Sequence, residues 1–404
     1  MKICVIGMGY IGLPTALLFA KAGNEVVGID IDNDKIQKLD QGELPFKEKN
    51  LLGLYEQAKQ NFNASGDFDY VSTTDVVIVC VPTPMKDKKM EGKFVFQAIH
   101  DISRKLEKET LVVLESTVKP GTTKEVKRIL QRETGFKEFS LAYCPERAIP
   151  GNTIEEMVKN DRVIGGIDKK SSEKAKELYS CFVEGTMYVT DSTTAEMVKL
   201  AENTYRDVNI ALANELALVS EINGTNVNEV IKLANKHPRV NIHQPGIGVG
   251  GHCLPIDPWF LVENYPQAKI IPTARQINNA MTERIAKIVS DKGIKKVTIF
   301  GSSYKPNVDD TRESPSKKLK ELLEKKGVQV NSYDPVVHKE QKLKETVKSS
   351  ECIILSTAHD EFRGIDWKEI SKLLSEPKLL IDGRNFFGKK PEGFTYYAIG
   401  KGGE

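Results

Sequence analysis

Nowhere in the 404 residues is there a run of about 18 apolar side chains, so no membrane-spanning helix is expected. Cysteine is sparse: six residues, Cys4, Cys80, Cys144, Cys181, Cys253 and Cys352, none of them in a C-x-x-C pair. That scatter argues against a structural zinc site or a disulfide framework; no metal is expected, and a reducing cytoplasm suits the chain best. Excess charge is missing as well. A formal net charge of +2 leaves no dedicated surface for nucleic acid or anionic membrane, although a local basic pocket is compatible with it. The N-terminus lacks a cleavable signal pattern, because residues 2–7 enter an apolar strand at once. The composition, 40% hydrophobic and 28% charged, is that of a soluble globular protein, and the length implies two or three domains.

Residues 2–7 (KICVIG) run straight into Gly7-Met8-Gly9-Tyr10-Ile11-Gly12, then into a helical stretch over 13–22 closed by Gly23. A second apolar strand over 25–30 ends in Asp30. G-x-G-x-x-G alone is weak; between a strand and a helix, with an acid some twenty residues on, it is a dinucleotide turn. The glycines let the backbone approach a pyrophosphate, the helix start supplies N–H donors, and Asp30 is placed to bond both ribose hydroxyls. An acid there repels a 2′-phosphate, so NAD is expected over NADP. A βα turn that binds nothing is the alternative.

Three further apolar strands, over 76–82, 111–114 and 140–143, end in kinked or polar loops: Pro82-Thr83-Pro84, ESTVKPG from Glu115, and CPERAIPGN from Cys144. Such loops usually only connect. Here they fall on the strand ends where ligands of open α/β sheets lie, which suggests an active-site rim carrying Thr83, Thr117, Glu146 and Arg147. Strands and helices alternate to about residue 190, giving one doubly wound domain. Over 194–223 apolar residues recur at helical spacing, marking a long bridging helix with Lys199 and Asn203 one turn apart and Arg206 close by. A solvated face is the other reading of that polar set.

The stretch PGIGVGGHCLPIDPWF from Pro245 to Phe260 looks like a nucleophile loop. Four glycines bare the backbone before His252 and Cys253, Asp257 follows four residues after the cysteine, and Pro255 and Pro258 mark a helix start whose dipole favours a thiolate. A tight turn with a small buried cysteine is the plainer possibility. After Gly293 the chain repeats the α/β alternation of its opening, now without G-x-G-x-x-G. Lys305 in the first turn, Arg312 before the next helix and Arg384 at the end of the last strand suit an anionic ligand such as a nucleotide diphosphate.

Taken together, GMGYIG, PTP, ESTVKPGTT, CPERAIPGN, KLAENTYRDVN, HPRVNIHQPGIGVGGHCLPIDPW, GSSYKPNVDDTRESP and IDGRN resemble the nucleotide-sugar 6-dehydrogenases, the family that includes UDP-glucose dehydrogenase. The resemblance covers nearly the whole chain. GGHC, PERAIPGN and NTYRDVN are most similar to the branch acting on N-acetylated sugars, making UDP-N-acetyl-D-mannosamine the expected substrate, with UDP-N-acetylglucosamine and UDP-glucose as alternatives. Pro150 stands where the glucose branch has a second glutamate.

The fold implied is α/β: a Rossmann NAD domain over 1–190, a helical bridging and dimerisation domain over 191–292, and a Rossmann-like UDP-sugar domain over 293–404. The activity implied is oxidation of C6 to a uronate with two NAD, in a homodimer sharing sites across subunits. By motif match Cys253 is the nucleophile that forms a thiohemiacetal and then a thioester. Lys199 and Asn203 stabilise oxyanions, Asp257 orients Lys199 or a water, and Glu146 and Thr117 handle the hydrolytic water. NAD falls to Gly7, Gly9, Tyr10, Ile11, Gly12, Asp30, Thr83, Thr117 and Arg312. The sugar nucleotide falls to Lys199, Asn203, Lys305 and Arg384 with Arg147, Arg206, Asn241, His243, Gly250 and His252, and Arg239 matches a segment that reaches the neighbouring subunit's site. Two competing readings are a nucleotide-sugar binder without chemistry, which has no use for a thiolate, and a two-electron dehydrogenase of the 6-phosphogluconate type, which has no need of Cys253.

Overall fold

The first strand, β1 (Lys2–Ile6), lies inside an eight-stranded sheet because its KICVI run is apolar on both faces, and every residue after Lys2 is buried. The computed structural model describes residues 1–402. The chain divides into two compact units, Met1–Glu202 and Asn203–Glu404. In the first, the strands continue as β2 (Glu25–Ile29), β3 (Phe62–Ser65), β4 (Val76–Val79), the hairpin β5 and β6 (Met85–Lys86, Lys89–Met90), β7 (Leu111–Leu114), β8 (Ser140–Tyr143), β9 (Arg162–Gly166) and β10 (Met187–Asp191). The helices are α1 (Gly12–Lys21), α2 (Asn33–Asp40), α3 (Leu51–Ala58), α4 (Lys93–Ser103), α5 (Thr122–Thr134), α6 (Thr153–Lys159) and α7 (Lys169–Tyr179).

The sheet order is β10-β9-β8-β7-β4-β1-β2-β3, parallel except where β9 runs antiparallel to β8. The order reverses at β1, with β2 on one side and β4 on the other, so the ligand crevice of this sheet lies at the C-terminal ends of β1 and β4. Neither β9 nor β10 is signalled in the sequence. Arg162 opens β9 where an apolar residue would be expected, and β10 is an edge strand with Tyr188 and Val189 facing out.

Helix α8 (Ser192–Ile222) runs 31 residues, and the boundary between the units falls within it. It begins two residues ahead of the stretch expected over 194–223 because Asp191 caps it, accepting the N–H groups of Thr193 and Thr194 at 3.0 and 3.1 Å. The second unit continues with α9 (Val227–Ala234), α10 (Asp257–Val262), α11 (Ile270–Asp291), β11 (Lys296–Phe300), α12 (Pro315–Lys325), β12 (Gln329–Tyr333), α13 (Leu343–Val347), β13 (Cys352–Leu355), α14 (Trp367–Leu373), β14 (Leu379–Asp382) and β15 (Thr395–Ala398). Its five strands are parallel in the order β12-β11-β13-β14-β15. Ala213 and Ala217 of α8, Ile231 of α9 and Met281, Ile285 and Val289 of α11 share one core with Val297, Ile299, Ile354 and Ile381 of the sheet. From Asn203 on, the helical stretch lies in the same compact unit as the C-terminal sheet.

Candidate functional site

In the first unit the glycine turn has the shape a dinucleotide needs. Gly7 has φ of 99°, and a Cβ there would lie 2.5 Å from the Cys80 carbonyl oxygen. At Gly12 a Cβ would lie 1.8 Å from the Gly7 oxygen, so helix and strand close on each other only through glycine. A Cβ at Gly9 would meet nothing within 4 Å: that backbone is open to a ligand. Ile11 and Gly12 begin α1, whose first N–H groups point toward the turn, and Tyr10 packs on Phe46 with ring centroids 4.3 Å apart. Asp30, buried at the end of β2, accepts the Met8 N–H at 2.8 Å on Oδ2 and the Asp32 N–H at 2.9 Å on Oδ1, with Lys35 Nζ at 3.0 Å. Asp30, expected to bond the ribose, thus also holds the turn against β2. These residues fit NAD.

The rim loops are tied to one another. Ser116 Oγ donates to the Val81 carbonyl at 2.8 Å, linking the segment of Thr117 to that of Thr83, both half-buried. Glu196 of α8 accepts the N–H groups of Gly121 and Thr123 at 2.6 and 2.7 Å, capping α5 from another element. No local pattern singles out Glu196, because its capping role spans more than seventy residues and depends on the fold.

Glu146 is turned inward. Its Oε1 accepts the N–H groups of Arg147 and Ala148 at 2.6 and 2.7 Å, and its Oε2 meets Arg162 Nη2 at 2.8 Å. Arg162 is buried between Glu146 and Glu115, with its guanidinium over the Tyr179 ring at 4.7 Å. Glu115 accepts from Tyr179 at 2.5 Å, from Thr15 at 3.0 Å and from Cys80 at 3.0 Å, and burial pushes its carboxyl above the usual range. As placed, Glu146 fixes the 144–150 loop instead of presenting a bare carboxylate. Arg147, expected at the substrate, forms a two-pronged pair with Glu202 at 3.1 and 2.6 Å and donates to the Asp161 carbonyl. Lys199 is half-buried on α8.

In the second unit the cysteine loop is pinned from below by a buried amide chain. Gly246 N–H donates to Asn214 at 2.8 Å, Asn214 to Asn278 at 2.9 Å, and Asn278 to the Asp207 carboxylate at 2.8 Å, where Arg275 pairs at 2.5 Å. Thr282 Oγ1 donates to the Ile247 carbonyl at 2.7 Å. Gly250 is required by close approach: a Cβ there would lie 2.5 Å from Pro315 Cδ and 2.7 Å from the Glu313 carbonyl oxygen. Asn203 Nδ2 donates to Asp257 Oδ2 at 2.6 Å, so the carboxylate expected to orient Lys199 or a water holds the Asn203 amide.

Cys253 is half-buried, and its surroundings differ from those the sequence suggests. Helix α10 is six residues long and starts at Asp257, one turn past the thiol; only the Cys253 carbonyl joins it, accepting the N–H groups of Ile256 and Asp257 at 2.9 and 2.8 Å. The group beside the sulfur is His252, whose Nδ1 lies 3.1 Å from Sγ. His252 Nε2 in turn lies 3.9 Å from Asp310 Oδ2. Arg312, expected at the cofactor, grips Asp310 through Nε at 2.9 Å and Nη2 at 2.6 Å. Burial would raise the Asp310 carboxyl, but Arg312 and, more weakly, His252 bring it below its ordinary value. Asp310 is absent from the sequence candidates because nothing in VDDTR separates it from Asp309.

Arg384 projects over the start of the same loop: a Cβ at Gly246 would touch its Nη1 at 2.6 Å. Its Nε donates to the Ser356 carbonyl at 2.7 Å, and among the described residues no carboxylate pairs with it. Burial lowers its pKa to about 10, still charged at neutral pH. Lys305 is half-buried in the turn after β11, its carbonyl accepting from Ser303 Oγ at 2.9 Å. Asn209 fastens the 241–243 segment, donating to the Asn241 carbonyl at 2.8 Å and accepting the His243 N–H at 2.8 Å. Burial and the nearby Arg206 lower the His243 imidazole below its ordinary range, while the Arg206 and Arg239 side chains are exposed.

A dinucleotide turn in one unit, and in the other a cysteine loop with an arginine held ready for an anion, define an NAD-dependent UDP-sugar dehydrogenase. The chain belongs to the UDP-glucose/GDP-mannose dehydrogenase family, matching its NAD binding domain over residues 1–183, its central domain over 193–280 and its UDP binding domain over 298–389. It is similar to the UDP-N-acetyl-D-mannosamine dehydrogenase of Methanocaldococcus jannaschii, 46% identical over 99% of this chain and 97% of the relative. Among solved structures, UDP-D-ManNAc dehydrogenase from Pyrococcus horikoshii matches with a TM-score of 0.95 and 40% identity, covering 100% of both chains. The UDP-N-acetyl-mannosamine dehydrogenase Cap5O from Staphylococcus aureus matches with a TM-score of 0.90 and 39% identity over 99% of each chain.

Proposed function

We propose that this chain oxidises the C6 hydroxymethyl group of UDP-N-acetyl-D-mannosamine to a carboxylate, giving UDP-N-acetyl-D-mannosaminuronate. One observation carries the substrate assignment: relatives 39–46% identical over nearly the whole chain are named UDP-N-acetyl-D-mannosamine dehydrogenases. NAD, when bound, supplies the hydride acceptor, one molecule for each two-electron oxidation. The chain's own residues do the rest.

Cys253 attacks the C6 aldehyde, so that the second oxidation starts from a tetrahedral carbon bearing a hydroxyl and a sulfur, and yields a thioester. Lys199 and the Asn203 amide stabilise negative charge on the C6 oxygen, with Asn203 oriented by Asp257. Thr117 holds the water that cleaves the thioester. Glu146 serves that step through the 144–150 loop it fixes, because N–H donors already occupy both its oxygens. Arg384 and Lys305 take the diphosphate; Arg206, Asn241 and His243 take the sugar and nucleotide, and Arg147 is held by Glu202 at the rim.

Two copies complete the enzyme. Tyr205, Leu212 and Val219 follow one another at intervals of seven on α8 with 53%, 47% and 49% of their surfaces exposed, an apolar stripe that a second copy would cover. Arg239, exposed in the segment that follows α9, then serves the partner's sugar site.

The test is incubation with NAD and a panel of UDP-sugars, with NADH counted and the product weighed by mass spectrometry. Two NADH per UDP-N-acetyl-D-mannosamine and a uronate product are expected. Preference for UDP-N-acetylglucosamine or UDP-glucose would overturn the substrate, one NADH per sugar would overturn the four-electron chemistry, and none would point to a binder.

A further inference from the structure

The sulfur of Cys253 has a histidine beside it, and that histidine has a carboxylate behind it. His252 Nδ1 lies 3.1 Å from Sγ, close enough to take a thiol proton. The opposite ring nitrogen, Nε2, is 3.9 Å from Asp310 Oδ2, which Arg312 holds in a two-pronged grip at 2.9 and 2.6 Å. The tautomer that accepts at Nδ1 carries its proton at Nε2, the side facing Asp310. Nucleophile, base and carboxylate thus follow one another at 3.1 and 3.9 Å, an arrangement recognised by geometry and not by chain order. The turn itself enforces it: Gly251 has φ of 86°, and the Tyr304 ring would lie 3.0 Å from a Cβ there, so the loop folds tightly enough to bring His252 over its neighbour's sulfur.

We propose that His252 is a catalytic acid–base partner of Cys253, with Asp310 as its positioning residue. The proposal rests on the covalent route given above. The Cys253 S–H bond breaks, its proton going to His252 Nδ1 and its electron pair staying on sulfur. That pair forms the S–C6 bond while the π pair of the aldehyde moves to oxygen, where Lys199 and Asn203 meet it. When water cleaves the thioester, sulfur leaves with the S–C6 pair and takes the proton back from Nδ1. Asp310 favours the imidazolium in the interval. Charged and titratable groups that face the pair among the described residues include Asp310 with Arg312, Tyr304 edge-on to the imidazole at 6.4 Å, and Asp257, whose N–H donates to the Cys253 carbonyl at 2.8 Å and whose carboxylate is bonded to Asn203. A helix dipole does not replace this base, because α10 is short and starts one turn further on.

The test reads the thiol itself. Iodoacetamide labelling of Cys253 is followed against pH by mass spectrometry of its peptide, without sugar or NAD, in the wild type, His252→Gln and Asp310→Asn. Peptide readout separates Cys253 from the exposed Cys181. The wild-type curve should rise at least about one pH unit below that of an ordinary thiol near 8.5. His252→Gln should move it up by about one unit or more and cut labelling at pH 7 about tenfold; Asp310→Asn should fall between. In turnover His252→Gln should lose kcat with KM within a few-fold. A wild-type labelling curve in His252→Gln would overturn the proposal, and His252→Asn carries the same test where the glutamine variant does not fold. Uronate production by Cys253→Ala would instead sink the covalent route, whereas an inactive Cys253→Ala beside a wild-type labelling curve in His252→Gln sinks only the role of His252.

Discussion

Arg384 is the residue where burial and charge are most at odds. Its guanidinium lies over the cysteine loop, bonded to the Ser356 carbonyl, and loss of water pulls its pKa down to about 10. A cation held this way gains more from an anion than a solvated one does, because the interaction replaces hydration already lost. UDP alone should therefore raise the thermal midpoint, by the equivalent of about 2.7 kcal/mol at a hundred times its Kd. Arg384→Ala should lose most of that gain while NAD binding in the other unit stays unchanged. Calorimetric titration with UDP and with NAD checks both; equal UDP affinity in the variant would remove Arg384 from the diphosphate site. His252 belongs to this scale too, since one rotamer decides whether the thiol meets a base.

At the scale of elements, the second unit reuses the architecture of the first for a different purpose. Asp334 ends β12 as Asp30 ends β2, and each accepts backbone N–H groups from the turn after the first strand. Asp334, however, is fully buried and saturated: it accepts from Ser302, Ser303, Val336 and Val337 N–H and faces His359 Nε2 at 3.1 Å. His359 Nδ1 takes the Asn307 N–H at 2.9 Å, which fixes both the ring and the turn that carries Lys305. A ribose has no acceptor left there, so this unit does not bind a dinucleotide as the first does. Burial alone would raise the Asp334 carboxyl; the bonds from His359, Val337 and Ser302 outweigh it and hold the pKa at about 2. A depressed carboxylate stabilises above its unfolded pKa and loses that contribution as pH falls through the folded one. About 2 kcal/mol is thus present at pH 7, and roughly half of it is gone by pH 3. Urea unfolding of Asp334→Asn should show a deficit that narrows by about 1 kcal/mol from pH 7 to pH 3. A deficit independent of pH would mean that the ionised carboxylate is not what pins the turn.

At the scale of the whole molecule, the exposed stripe of α8 sets the prediction. Tyr205, Leu212 and Val219 leave about half of each side chain uncovered, and Ile222 leaves 85%. Leu212→Glu combined with Val219→Glu should convert a dimer to a monomer by light scattering, and activity should fall because Arg239 then has no partner site. Arg239→Ala mixed with Cys253→Ala should recover part of the activity through hybrid dimers. A wild type that runs as a monomer, or no recovery after proven subunit exchange, would refute the shared site. Much of this protein is determined by local sequence: short unbroken apolar runs bounded by turn residues read as buried strands, glycines at 7, 9 and 12 suit a dinucleotide turn, and heptad-spaced apolar residues on a long helix mark a face. Those signals act over a few residues and survive without knowledge of the rest. The tertiary structure alone decided the pairings across distance. Glu146 turns in to Arg162 sixteen residues away, Arg147 reaches Glu202, Arg312 is taken by Asp310, and Asp310, 58 residues beyond His252, comes to stand behind it. A charged side chain's role depends on which opposite charge folding brings within a few ångströms, and no local pattern encodes that partner.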